Sequence, residues 1–416
     1  MSTPYTATHN IDTTKRPAPL IALLRSRAYV LLWTAQFAAL LAGFLNYVAV
    51  AWLTLQLTGS NLAVGLVLAA AAVPLAILML LGGAVSDRIS PRSTMRGAGL
   101  VRGAVMAILA ALTWTHSVQL WEVFASAVLV GATTAFFIPA STSILPQLVE
   151  RDQLEAGNAF LNISRTAAIV LGPAVGGVLV AAIGVASALG ADAVGSVLAA
   201  VLAALLPAGG GGSPMPRRNP LADVREGVVR VWSDVALRAT LLVMAVLNLF
   251  ALGAIQVGLP ALAYQRFSQG AVALGSTFAM WGLGSTVGSL ASAARPAPSR
   301  LGWVIVAVVA LLGAGVAATG FAPTLPVLLA VMALMGVVEG AGTTYIVSWM
   351  QRRTEPGMQG RVMSVAMLSS VGLQPLALAV AGGLASRHLG LLFFGGAAAI
   401  ELTAIAAALS RSVRRM

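Results

Sequence analysis

The 416-residue chain is 58% hydrophobic and only 9% charged, about a third of the charged share with which a soluble globular domain covers itself, so water is not its principal solvent. The net charge of +12 would suit nucleic acid in a soluble protein, but here the basic residues fall in short connections between apolar runs, a pattern that sets membrane orientation and forms no phosphate-binding face. The absence of cysteine excludes disulfides, thiolate metal sites and thiol nucleophiles together.

Spanning a bilayer core takes roughly 20 apolar residues per helix, which leaves room for about a dozen spans. Open sheets are excluded because lipid cannot satisfy their edges. The expected fold is therefore all-α and polytopic. Residues 1–28 form a polar tail without the early apolar core of a signal peptide, and the run at 29–57 is too long to be one, so it reads as an uncleaved first span. Further runs follow at 61–85, 95–115, 119–142, 157–183 and 185–206, completing an N-terminal bundle over 29–206. The stretch from Pro207 to Asp234 differs in character, with Gly209 to Gly212, Pro214, Pro216 and Pro220, and marks a linker over 207–236. Within it Leu221, Val224, Val228 and Val231 recur at helical spacing against Asp223, Arg225, Glu226 and Arg230. A surface helix and a plain solvated linker both fit that spacing. A second set of runs, at 237–265, 271–294, 301–321, 324–350, 362–385 and 389–409, gives a C-terminal bundle over 237–409, before a tail at 410–416. The plan is twelve transmembrane helices in two bundles of six.

Basic residues cluster on one side: Lys15, Arg16, Arg25 and Arg27; Arg88, Arg92 and Arg96; Arg217, Arg218, Arg225, Arg230 and Arg238; Arg295, Arg300, Arg352, Arg353 and Arg361; and Arg411, Arg414 and Arg415. The opposite loops show only Arg266 and Arg387. This bias predicts that both termini and the linker face the cytoplasm, across an inner cell membrane. Two stretches in corresponding places, before the fifth and the eleventh spans, lead into spans with a late glycine pair, Gly176-Gly177 and Gly382-Gly383. That placement is the weak internal symmetry of a carrier built from two related halves.

Two motifs carry a family resemblance. After the second span, residues 83–92 hold Gly83, Asp87, Arg88 and Arg92 in a pattern similar to G-x-L-A-D-R-x-G-R-K, with Ser90 and Pro91 in place of Gly and Arg. In the fifth span Gly172, Pro173, Gly176 and Gly177, preceded by Ala168, are similar to G-x-x-x-G-P-x-x-G-G. On these motifs the chain resembles the major facilitator superfamily, in particular the drug:proton antiporters that include macrolide and enterobactin exporters. The resemblance implies alternating access, efflux of a drug, macrolide, siderophore or other lipophilic molecule, and proton entry as the driving force. It also implies that the first, fourth, seventh and tenth spans face the central path. Physically, Gly83 permits close helix approach and the arginines can meet lipid phosphates. Asp87 offers an anion to the helix N-terminus near Gly360, Arg361 and Val362, a gating contact; a solvated turn obeying the positive-inside rule would explain the arginines alone. The second motif bends and packs its helix, whether or not it marks antiport.

An ionisable group inside a span costs about 2.5–3.5 kcal/mol at mid-membrane and usually has a task. Glu339, near the middle of the tenth span with Thr343 one turn on, is the leading proton-coupling candidate. Asp192 in the sixth span is the next, although the resemblance places it and Glu401 in the twelfth on peripheral helices, where interhelical pairing is favoured. Arg165 in the fifth span should face the cavity or an acid. Gln36 and Asn46 in the first span and Asn248 and Gln256 in the seventh are candidate substrate contacts. No lysine other than Lys15 occurs, and His9, His116 and His388 lie outside the runs, so a phosphate-cradling pump loop and a metal hydrolase lack their residues. The expectation is a carrier, not an enzyme, acting as a monomer. Its partners would be a small-molecule substrate, protons and the bilayer, with no nucleic acid, metal or cofactor. A lysolipid or nutrient carrier of the same fold, or a channel or scaffold, stays open.

Overall fold

The structure is a computed structural model that describes residues 23–150, 153–207, 220–296, 298, 300–355 and 358–414, side chains at 80–88 and 220–224 excepted. Among the described residues the long elements are helices: α1 Arg27–Thr58, α2 Asn61–Ile89, α3 Pro91–Trp114, α4 Leu120–Ser143, α5 Leu154–Ala182 and α6 Val185–Leu205 in the first half. The second half holds α7 Val235–Arg266, α8 Ala271–Ala293, α9 Leu301–Phe321, α10 Leu325–Arg353, α11 Gln359–Arg387 and α12 Leu391–Leu409. Eleven of these are long and apolar enough to cross a bilayer. The other, α8, is 23 residues without a charge, its hydropathy lowered by glycine and serine. The protein is a multi-pass membrane protein with the all-helical fold its apolar runs predict.

Local chemistry sets the helix ends. Ser26 caps α1, and Gly59, at φ 61°, ends it in the left-handed region that glycine enters without a Cβ clash. Pro91 occupies the first turn of α3, where its missing N–H is no loss, and the Ser90 side chain accepts from the Ser93 N–H. Ser90 adopts φ 132°, a strained value for a residue with a Cβ. The departures from the family pattern at these two positions thus become a helix start. Asp234 caps α7 through the N–H groups of Ala236 and Leu237.

Helix packing repeats itself between the halves. In the first half α1 packs on α5 and α6, α2 on α4, and α3 on α4 and α6; adding six to each number gives the packing of the second half. The halves meet through α2 with α11 and α5 with α8, pairs that the same operation exchanges. This is the signature of a pseudo-two-fold axis. Hereafter the linker side is the membrane face bearing residues 206–207 and 220–234, and the far side its opposite.

The linker stretch resolves toward the helical reading. Pro220–Ser233 is a helix that packs on α11. Val231 is buried whereas Val228 is exposed; Leu221, Asp223 and Val224 lie outside the described side chains. Gly227 lies so close to the Arg361 carbonyl that a Cβ there would come within 2.6 Å. Glu226 pairs with Arg361 at 2.5 Å.

Candidate functional site

A cavity of about 580 Å³ lies between the halves, within the range of small-molecule sites. Its wall is mostly apolar, from α1 to α6 on one side and α7, α8 and α11 on the other, with Phe44, Leu75, Phe137, Ile169, Phe278 and Leu378 among the larger groups. Polar groups are few: Asn46, Tyr47, Arg102, Arg165, Gln256, Trp281 and Gln374 stand beside several hydroxyls. Of these hydroxyls, Ser126, Thr133 and Thr134 donate to carbonyls of their own helix.

The cavity is sealed toward the far side. The Tyr47 hydroxyl donates to the Gln256 carbonyl in the π-helical turn Ala254–Gly258 of α7. Tyr47 and Phe278 meet edge to face at 5.2 Å, as do Trp52 and Tyr264. Nearer the surface the helix pairs touch backbone to backbone. A Cβ on Gly65 would lie 2.7 Å from the Gly382 Cα, and one on Gly177 would lie 3.1 Å from the Gly275 Cα. Asn61 donates to the Ala385 carbonyl at 3.1 Å, yet its own Oδ1 is buried with no partner among the described residues. A buried unpaired acceptor costs about 1–3 kcal/mol.

The fifth-span motif serves two contacts at once. Gly172 and Gly176 face Phe44 and Leu45 of α1, while Pro173 and Gly177 face Gly275 and Ala271 of α8. The gating stretch is less visible: Gly83, Asp87 and Arg88 lie outside the described side chains. Arg92 donates to the Ala204 carbonyl, tying α3 to the end of α6. Arg361 also contacts the Met358 sulfur at 3.0 Å.

Other site candidates separate into groups. Asn46, Arg165 and Gln256 line the cavity. Asn46 also donates to Asp192 at 2.6 Å. Asp192 is fully buried; it accepts from Arg102 at 3.1 and 2.9 Å through both oxygens, and from Ser196 at 3.0 Å. Gln36 and Asn248 are not among the lining residues. Gln36 donates to the Ser141 carbonyl of α4, while Asn248 donates to Met244 and, at 3.4 Å, to Ser370 of α11, so both act between helices. Glu339 and Thr343 are likewise outside the wall. Glu339 lies half-buried at the α8–α10 contact, accepting from Ser285 at 2.8 Å and from Thr343 at 3.2 Å. No ion pair to Glu339 occurs among the described residues.

Sequence reasoning missed Arg102, Trp281 and Gln374. The first had a signal, an arginine inside a span; the other two carried none that separates a wall residue from a lipid-facing one.

Two helical bundles related by a pseudo-two-fold, with a substrate-sized cavity sealed at one end, define a transporter. The chain belongs to the Major Facilitator Superfamily, whose profile matches residues 32–378. It is 28% identical over 374 residues to the multidrug efflux pump Tap of Mycobacterium tuberculosis, covering 86% of this chain and 87% of the relative. Macrolide efflux protein A of Streptococcus pyogenes is 22% identical, with 80% and 83% covered. The enterobactin exporter EntS of Escherichia coli is 25% identical, with 88% and 87% covered. Among solved structures, a mutant of the peptide transporter POT in complex with sulfate superposes with a TM-score of 0.75 at 12% identity, covering 94% and 95% of the two chains. A mutant of the nucleoside transporter NupG gives 0.72 at 12%, with 92% and 99% covered. These two show the fold.

Proposed function

We propose that the protein exports a small lipophilic or amphiphilic organic molecule by alternating access, with proton entry as the driving force. The observation that carries this reading is the apolar cavity between the halves, sealed on the far side by Tyr47, Trp52, Gly65 and Gly177 with their partners. The efflux relatives favour export, and the basic-residue bias favours a cytoplasmic linker side. The cavity then loads from the cytoplasm. Rocking of the halves about the α2–α11 and α5–α8 contacts would open the far side.

Glu339 is the proposed proton carrier. Protonating Asp192 would strand the Arg102 charge, whereas Glu339 meets hydroxyls and can take a proton without stranding a cation. Ser285, its partner on α8, lies one turn from Trp281 in the cavity wall, and α8 also forms the cross-half contact with α5. A proton at Glu339 thereby acts on the helix that touches both the cargo and the other half. Asp87 would bias the linker-side gate.

The test is transport by the purified chain in proteoliposomes. Saturable counterflow of a lipophilic probe and its uphill movement under an imposed pH gradient are expected; linear, non-saturating flux would indicate a channel. Orientation is read with single cysteines in this cysteine-free chain: Ser412→Cys should resist an impermeant thiol reagent in intact cells, and Ser268→Cys should react.

A further inference from the structure

The charge on the cavity wall is one-sided. Arg102 and Arg165 line it, and no acidic side chain does among the described residues. Arg102 is neutralised from behind by Asp192. Arg165 is exposed to the cavity and has no hydrogen bond or ion pair with any described residue. A cation in an apolar surround is costly unless water or a counter-anion meets it. Across the cavity, the side-chain amides of Gln256 and Gln374 and the Trp281 indole N–H also line the wall without a partner among the described residues. The Arg165 guanidinium and the Trp281 indole N–H, with two amides that can donate or accept, therefore face one apolar space in which no anion answers Arg165 among the described residues.

We propose that the cargo is an organic anion: a lipophilic body bearing one carboxylate, sulfonate or phosphate, with Arg165 as the charge partner and the amide and indole groups as further donors. This rests on the carrier reading and names its substrate class. A guanidinium suits oxyanions because its fork of N–H groups matches two oxygens at once, while the apolar wall takes the body. The energetics agree in sign. Exchange of an exported anion for an entering proton moves two charges in directions that an inside-negative potential favours, whereas an exported cation would be opposed by it.

The test uses three probes on one fluorescent scaffold: dansylglycine (anion), dansylamide (neutral) and N-(2-aminoethyl)dansylamide (cation). Binding to the purified chain is titrated by fluorescence, and counterflow is followed in proteoliposomes. The anion should bind about tenfold more tightly than the cation, and Arg165→Gln should weaken the anion about tenfold while leaving the neutral probe within about twofold. Arg165→Glu should invert the order, with an unchanged melting temperature showing that the fold is intact. A cation that binds as well as the anion, an anion that does not bind, or an order unmoved by Arg165→Glu would overturn the proposal. Charge-blind counterflow would overturn it while sparing the carrier reading. Absence of counterflow by all three probes would sink the carrier reading, and the binding order would still decide the charge preference.

Discussion

Asp192 and Glu339 are both carboxylates inside the spans, one in each half, and they are held by opposite means. Asp192 is enclosed by a two-pronged arginine, an amide and a hydroxyl drawn from α3, α1 and its own helix. Glu339 is held at the α8–α10 contact by two hydroxyls, and its partner Thr343 is exposed. A charge pair with every partner in place fixes helices; a carboxylate that meets only neutral donors can change its charge without leaving another charge stranded. The first half therefore carries a fixed joint, and the second a carboxylate held by hydroxyls alone, the arrangement on which the proposed coupling role rests.

The largest effect should come from breaking the fixed joint. Asp192→Leu leaves Arg102, partly buried at the cavity wall, without its charge partner and should cost up to about 3 kcal/mol of stability. Adding Arg102→Met should recover most of that loss, because an apolar pair of similar volume carries no stranded charge. Melting of the purified single and double variants decides it, and a double variant no more stable than the single would sharply reduce the weight of the pair.

The next effect concerns the seal. Gly65→Val places a branched side chain against the Gly382 backbone and should hold α2 and α11 apart on the far side. About 1.4 kcal/mol is enough to shift a two-state population tenfold. Spin labels at Ser60 and Ser386 should then report longer distances; an unchanged distribution would mean that the seal yields elsewhere.

The reach of sequence reasoning follows the physics of each signal. Spans were legible because bilayer thickness imposes run length, and the glycines of the fifth-span motif were legible as close-packing sites. The partner of Asp192 was not: Arg102 lies 90 residues away, and nothing in one sequence joins them. The aim of Gln36 and Asn248 was also hidden, since a helix apolar all round has no polar stripe to orient it. The same uniformity kept Gln374 and Trp281 out of sight and put Glu339 on the expected path instead of at a helix contact. Ser90 shows a different limit, because its positive φ is one that neither its own propensity nor a following proline favours.

A smaller effect is expected at the linker side. Burial alone would raise the Asp234 carboxyl, but hydrogen bonds from Arg353 and from the N–H groups of Leu237 and Ala236, with the Arg353 charge, hold it below its ordinary value. The stability this contributes is present at neutral pH and is lost as the pH falls through the lowered value. Asp234→Asn keeps an effective cap and loses the charge pair, which is partly exposed, so the cost should be below about 1 kcal/mol. The difference in melting temperature between wild type and variant should close in acid below the ordinary carboxylate range; a gap that widened there would reverse the sign of the argument.

The contrast between the two carboxylates is tested most directly by Glu339→Gln in proteoliposomes carrying an imposed pH gradient. Glutamine keeps the shape and can still accept from Ser285 or Thr343, but it cannot exchange a proton. The variant should melt within about 1 kcal/mol of wild type, since only neutral hydrogen bonds change, and should retain counterflow of the probe. Uphill accumulation under the pH gradient should disappear. A Glu339→Gln protein that still concentrates its substrate against a gradient would contradict the assignment and move the coupling proton to another group, Asp192 first.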